Sequence, residues 1–148
     1  MARHNEIGKI GEDIATQFLK DKGFEILERN FRKPYGEIDI VTRKNGVVHF
    51  IEVKSVSWET VTDYIPRETI IGNGTKKDSV SHETILRQSM AIRPEENLHP
   101  EKIKRLKRVI QVYIFSHETG DWVFDLILVY IDEKKHTAKV KLLKDIIL

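Results

Sequence analysis

The stretch that decides the fold is Glu37-Ile38-Asp39-Ile40-Val41-Thr42-Arg43-Lys44, then Asn45-Gly46, then Val47-Val48-His49-Phe50-Ile51-Glu52-Val53-Lys54. Asn-Gly between two strand-like runs is the strongest short signal for a hairpin, because both central residues of a type I′ turn need positive φ. A two-residue turn sets Lys44 against Val47 and carries the pairing down the hairpin until Asp39 stands opposite Glu52. Side chains alternate along a strand, so Lys54 shares the face of Glu52 while Val53 points into the opposite layer. The same register sets Glu37 against Lys54 and puts Glu37 on the face of Asp39.

Upstream of the hairpin, Ile7, Ile10, Ile14, Ala15, Phe18 and Leu19 recur at three-to-four spacing, which predicts an amphipathic helix from Asn5 to Lys22 ended by Gly23. Phe24 to Phe31 reads as a strand, followed by the turn-prone Arg32-Lys33-Pro34-Tyr35-Gly36. From Val56 to His99 apolar residues are sparse and Gly72-Asn73-Gly74-Thr75 interrupts them, so 56–99 reads as a flexible insertion. Within it, Ile85, Leu86, Met90 and Ala91 suggest a short helix from His82 to Ala91. Pro100 opens a second clear helix to Ser116, with Ile103, Leu106, Ile110, Tyr113 and Ile114 on its buried face. Strands follow at Trp122 to Ile131 and Ala138 to Leu143. Helix, three strands, insertion, helix and two strands imply an α/β fold in which helices flank a mixed central β-sheet.

The chain of 148 residues is long enough for one core, so 1–148 is expected to form a single domain. It has no cysteine, which excludes disulfides, thiolate metal sites and cysteine nucleophiles. There is no run of eighteen apolar residues and no hydrophobic leader, so a soluble cytoplasmic protein without membrane contact is expected. The net charge of +2 is small, but it is unevenly spread. Glu101-Lys102-Ile103-Lys104-Arg105-Leu106-Lys107-Arg108 carries five positive charges and one negative, which exceeds the charge of the whole chain.

Two carboxylates facing each other across a hairpin have β-carbons about 5 Å apart, and like charges there destabilise the pair. Mg²⁺ or Mn²⁺ would compensate, since such hard cations take oxygen ligands and leave positions for water and substrate phosphate. Lys54 adds an ammonium beside the pair. For phosphodiester hydrolysis, a metal acidifies its bound water, and a lysine orients that water or offsets charge developing on phosphorus.

Asp39, a spacer, and Glu52-Val53-Lys54 together resemble the D…E-x-K motif of the PD-(D/E)XK nuclease superfamily. More specifically, Gly36-Glu37-Ile38-Asp39-Ile40-Val41 and Ile51-Glu52-Val53-Lys54, with Gly11-Glu12 upstream and Lys102 and Phe124-Asp125 downstream, are similar to the bacterial YraN-like family. That family in turn resembles archaeal Holliday-junction resolvases in fold. The resemblance runs from Gly8 to about Val129 apart from the insertion. It implies a restriction-endonuclease-like core, Asp39 and Glu52 as metal ligands, Glu12 reaching the metal from the first helix, and Lys54 as a catalytic residue. It also implies a metal-dependent endonuclease for structured or branched DNA, with a homodimer as one arrangement. The chain departs from the motif in having Ile38 where a proline is usual and in the length of the segment after Ser55.

Plainer readings stand beside these. Asp39, Glu52 and Lys54 could form an ordinary salt-bridged hairpin face, and Glu12 could be a solvated helix carboxylate. The basic octet could be the exposed half of an amphipathic helix; if it contacts phosphate, Lys102 and Arg105 are the candidates. Phe124 reads as core and Asp125 as a buried polar partner of the first helix. Gly8-Lys9-Ile10-Gly11 does not amount to a phosphate loop, and the histidines lack metal-ligand spacing. From a different functional class, the rival is a non-catalytic nucleic-acid-binding or partner-binding protein that retains the nuclease fold.

Overall fold

A computed structural model of the chain describes residues 2–57 and 98–148. Its elements are α1 (Ala2–Asp21), β1 (Glu25–Lys33), β2 (Gly36–Lys44), β3 (Val47–Ser57), α2 (Pro100–Ser116), β4 (Trp122–Asp132) and β5 (Thr137–Leu143). The order matches the one read from hydrophobic periodicity. The proposed helix from His82 to Ala91 and most of the expected insertion lie outside the described residues. Two ends of that segment are nonetheless structured: β3 continues through Ser57, and Leu98 is buried in the core.

The strands form one five-stranded mixed sheet in the order β1-β2-β3-β4-β5. Neighbours are antiparallel except β3 and β4, which run parallel with Glu52 beside Leu126. The β2–β3 hairpin turns on Asn45 and Gly46, both at positive φ (52° and 80°), as a two-residue type I′ turn requires. Lys44 pairs with Val47, and the same register holds as far as Ile40 and Ile51.

Each helix covers one face of the sheet. Ala15 and Leu19 of α1 pack with Ile40, Ile51, Ile127, Val129 and Ile131. Leu106, Val109, Ile110 and Tyr113 of α2 pack with Phe31, Ile38, Val41, Val48, Phe50 and Phe124 on the other side. Parallel strands need a crossover, and α2 lies on the path from the end of β3 to the start of β4. It therefore runs back along the sheet, with Tyr113 edge-on to Phe50 at 5.4 Å and its first turn over the latter half of β3. No helix among the described residues is long and apolar enough to cross a membrane.

The buried stripe of α1 differs from the one periodicity predicts. Ile10 is 48% exposed, whereas Gly11, Ala15 and Leu19, spaced four apart, face the sheet. Close approach explains the difference: a β-carbon on Gly11 would collide with the side chain of Ser55 on β3. The small residue lets the helix backbone rest on the strand, and this rotates the larger Ile10 outward. Gly11→Ala should lower stability by about 1–3 kcal/mol through overpacking. Gly8→Ala, where a β-carbon meets nothing within 4 Å, should gain about 0.5–1 kcal/mol from helix propensity. Urea midpoints of the two variants should therefore move in opposite directions.

Candidate functional site

The β2–β3 ladder stops one pair short of Asp39. Beyond Ile40, the carboxylate of Asp39 takes over a strand's role and accepts the backbone N–H of Val53 at 2.7 Å. Freed from that ladder, Glu37 turns to the other edge of β2, where it pairs with Arg32 and forms an ion pair at 2.8 Å. The expected facing of Glu37 and Lys54 is thus not formed. Asp39 and Glu52 do come together at the hairpin's open end, with only 7% and 1% of their surfaces exposed.

Glu52 Oε1 receives two ammonium groups. Lys102, from the first turn of α2, makes a direct hydrogen-bonded ion pair with it, and Lys54 lies 3.8 Å away. The second oxygen, Oε2, is buried without a hydrogen-bond partner among the described residues. A buried carboxylate oxygen left unpaired is costly, and in a native structure it commonly marks a missing water, ion or ligand.

These neighbours shift each other's protonation. Burial raises the Asp39 pKa from 3.8 to about 7, helped by the charges of Glu52 and Glu12 and opposed by the Val53 N–H and Lys102. Burial also lowers the pKa of Lys54, and the nearby Lys102 lowers it further. Burial acts against the charge of Lys102 too, but its contacts with Glu52 outweigh this and hold its pKa above the ordinary lysine value.

Glu12 stands at the margin of this group. It sits beside the buried stripe of α1, one turn before buried Thr16, whose hydroxyl donates to the Glu12 carbonyl at 2.7 Å. Its carboxylate is 3.9 Å from Arg29 and is close enough to Asp39 to raise that residue's pKa. Among the described residues no three His, Asp or Glu side chains are arranged as a ready metal cage. The donors that fit a divalent cation are therefore the two hairpin carboxylates, chiefly the unpaired Oε2 of Glu52. Two protein carboxylates suffice for Mg²⁺, which keeps several waters and rarely uses an all-protein cage.

Lys102 and Arg105 occupy different places. Lys102 reaches the centre of the carboxylate group, whereas Arg105 is exposed beside the β1–β2 turn, its β-carbon within 3.4 Å of where one on Gly36 would stand. The ion pair between Lys102 and Glu52 was not anticipated, although its signal was present. Lys102 lies in helical register with Leu106, Val109 and Tyr113, all buried, so the buried face of α2 begins with a lysine. Phe124 is core, as expected. Asp125 is fully buried, but its partners are His49 Nδ1 at 2.7 Å and the Asp145 N–H at 2.9 Å rather than α1. The parallel register explains this, because it sets Asp125 beside Ile51, two residues from His49 on the same face of β3.

The architecture is that of an α/β protein in which a mixed sheet, flanked by two helices, gathers two buried carboxylates and two lysines at the open end of a hairpin. The chain belongs to the uncharacterised protein family UPF0102, which it matches over residues 11–129. That span takes in Glu12, Asp39, Glu52, Lys54 and Lys102, and the likeness to the YraN-like family is shown at this level. The chain is 36% identical over 129 residues to a UPF0102 protein of Helicobacter hepaticus, covering 86% of each. It is 31% identical over 136 residues to a UPF0102 protein of Flavobacterium psychrophilum, covering 91% of this chain and 89% of that one.

The raised pKa of Asp39 has a consequence for the metal-free protein. A carboxyl with a higher pKa folded than unfolded holds its proton more tightly in the folded state. Its contribution is therefore most favourable below pH 3.8 and is lost as pH rises toward about 7. Asp39→Asn should remove this slope and leave the variant roughly 2–4 kcal/mol more stable than wild type at pH 8 in EDTA. Urea denaturation at pH 5 and pH 8 measures it, and equal slopes in both proteins would contradict the assignment.

Proposed function

We propose that this protein is a Mg²⁺- or Mn²⁺-dependent endonuclease of the PD-(D/E)XK type that hydrolyses phosphodiester bonds in structured or branched DNA. The observation that carries this reading is the buried pairing of Asp39 and Glu52 beside Lys54, with Glu52 Oε2 left without a partner among the described residues. Burying two carboxylates side by side is unfavourable unless a cation is to join them.

Asp39 and Glu52 would hold the metal, with Glu12 of α1 within electrostatic range of Asp39. When bound, the metal supplies an acidified water and polarises the scissile phosphate. The protein's own residues do the rest. Lys54, its pKa lowered, is suited to hold the attacking water by hydrogen bonding and to pass a proton at Nζ. Lys102 would turn its ammonium between Glu52 and the non-bridging phosphate oxygens, where negative charge accumulates. The Val53 N–H holds one oxygen of Asp39, which leaves the other for the metal. DNA as substrate agrees with a cytoplasmic location, and a homodimer would suit a branched substrate with two-fold symmetry.

One observation favours the rival reading. Lys102 already supplies Glu52 with a cation, and that pairing could neutralise the carboxylates permanently in a DNA-binding protein that cuts nothing. Cleavage of duplex, flap and four-way-junction DNA in Mn²⁺ separates the two. Wild type should cut a branched substrate, and Asp39→Ala, Glu52→Ala and Lys54→Ala should each lose at least about 100-fold. Equal residual cutting by all four proteins would mark contamination and leave the binding reading.

A further inference from the structure

A cleft of about 560 Å³ lies between the β1–β2 turn and the outer side of α2, lined by Tyr35, Gly36, Glu101, Lys104, Arg105 and Arg108. Its size is within the range of pockets that take small ligands. Three features give it a character distinct from an ordinary solvated helix face. First, Glu101, Lys104, Arg105 and Arg108 recur at three-to-four spacing, so one stripe of α2 presents three cations against one carboxylate. Second, among the described residues none of the three cations has a carboxylate partner; Arg108 instead lies over the ring of Tyr35, 4.2 Å from its centre. Third, the turn is pressed on the helix at Gly36, where a β-carbon would come within 3.1 Å of Val109. The turn that carries the ring and the helix that carries the cations are therefore held in fixed relation.

We infer that this cleft binds a single-stranded segment of nucleic acid, with backbone phosphates on Lys104 and Arg105 and an unpaired base stacked on the outer face of the Arg108 guanidinium, which Tyr35 supports from beneath. A groove of cations beside an aromatic face is the general means of holding single strands, because every base has a π-face and every nucleotide a phosphate. Duplex DNA offers the phosphates but keeps its bases stacked on each other, so the Arg108–Tyr35 stack discriminates between the two. Position connects the cleft to the carboxylates. Gly36 precedes Asp39 by three strand residues, about 10 Å, and Lys104 and Arg105 follow Lys102 within one helical turn. A strand leaving a branch point could thus run from the cleft to the hairpin's open end. This inference rests on the nuclease reading only for which strand is cut; the binding stands apart from it.

The test is fluorescence anisotropy in EDTA, where no cleavage can occur, with labelled single-stranded, blunt-duplex and flap oligonucleotides. Tyr35→Ala should weaken single-strand and flap binding by about ten-fold and leave blunt-duplex binding unchanged. Tyr35→Trp should restore the affinity, which guards against mere misfolding of the alanine variant. The double variant Arg105→Ala with Arg108→Ala should lower the slope of log affinity against log salt by about one to two for the single strand. If Tyr35→Ala weakens all three substrates equally, or none, the inference is overturned. It is also overturned if a free mononucleotide competes as well as an equal site concentration of the strand, since the ligand would then be a nucleotide. Asp39→Ala, which should abolish cutting, is expected to bind the strands at least as well as wild type. Cutting with no cleft effect would defeat this inference alone, and the cleft effect with no cutting would defeat the nuclease reading alone.

Discussion

The ion pair between Lys102 and Glu52 is the interaction on which the site depends. Glu52 lies on a central strand, buried beneath the first turn of α2, and a carboxylate so placed is costly to bury without a counter-charge. Lys102 supplies it from a different element. The pair therefore fixes the helix against the strand at the point where the apolar packing of Leu106, Val109 and Tyr113 ends. It also accounts for the lysine on the buried face of α2, which would otherwise be an error in an amphipathic pattern. Lys54 alone, at 3.8 Å from the same oxygen, is a weaker partner.

Topology makes that pairing available. Because β3 and β4 are parallel, the chain must return along the face of the sheet before entering β4, and α2 provides the return. Its basic first turn is thereby brought over the end of β3 that carries Glu52 and Lys54. On the opposite face, Gly11 lets α1 lie directly on Ser55, next in sequence to Lys54, and this close seating brings Glu12 within electrostatic range of Asp39. Two helices on opposite faces thus contribute to one cluster at the open end of a hairpin.

Much of this was legible in the sequence, for identifiable reasons. Asn45-Gly46 prescribes its own turn and therefore the register of the hairpin, and the spacing of Glu52 and Lys54 follows from strand alternation. The order of the elements and the span of α2 follow from hydrophobic period. What could not be read involved competition between groups distant in sequence. The end of the β2–β3 ladder depends on the Asp39 carboxylate replacing a backbone acceptor, which moves Glu37 to Arg32. The rotation of α1 depends on a contact between Gly11 and Ser55, and periodicity counts apolar residues without weighing how closely backbones can approach. The partner of Asp125 depends on the parallel register of two strands separated by some seventy residues. Family likeness supplied Glu12, whose direction no local pattern indicated.

The charges of the cluster explain why its members are held in tension. Glu52 is met by Lys102 and Lys54, and Glu12 lies by Arg29; when Asp39 ionises, the group gains one further negative charge. The raised pKa of Asp39 puts that change near neutrality, so the cluster stands between a less negative state and one that attracts a cation more strongly. The protein could have escaped this condition with a leucine at either carboxylate, and a hydrophobic replacement for buried charge is often neutral or stabilising. Retaining two carboxylates, one with an oxygen that nothing among the described residues satisfies, works against folding. Such costs concentrate at functional sites, where strain and unmatched charge serve chemistry rather than stability. Under the proposed metal-dependent function the Lys102 ammonium has a second meaning: it would keep the folded state stable until a cation arrives, because it is near enough to neutralise Glu52 yet mounted on a flexible stem that can yield its place.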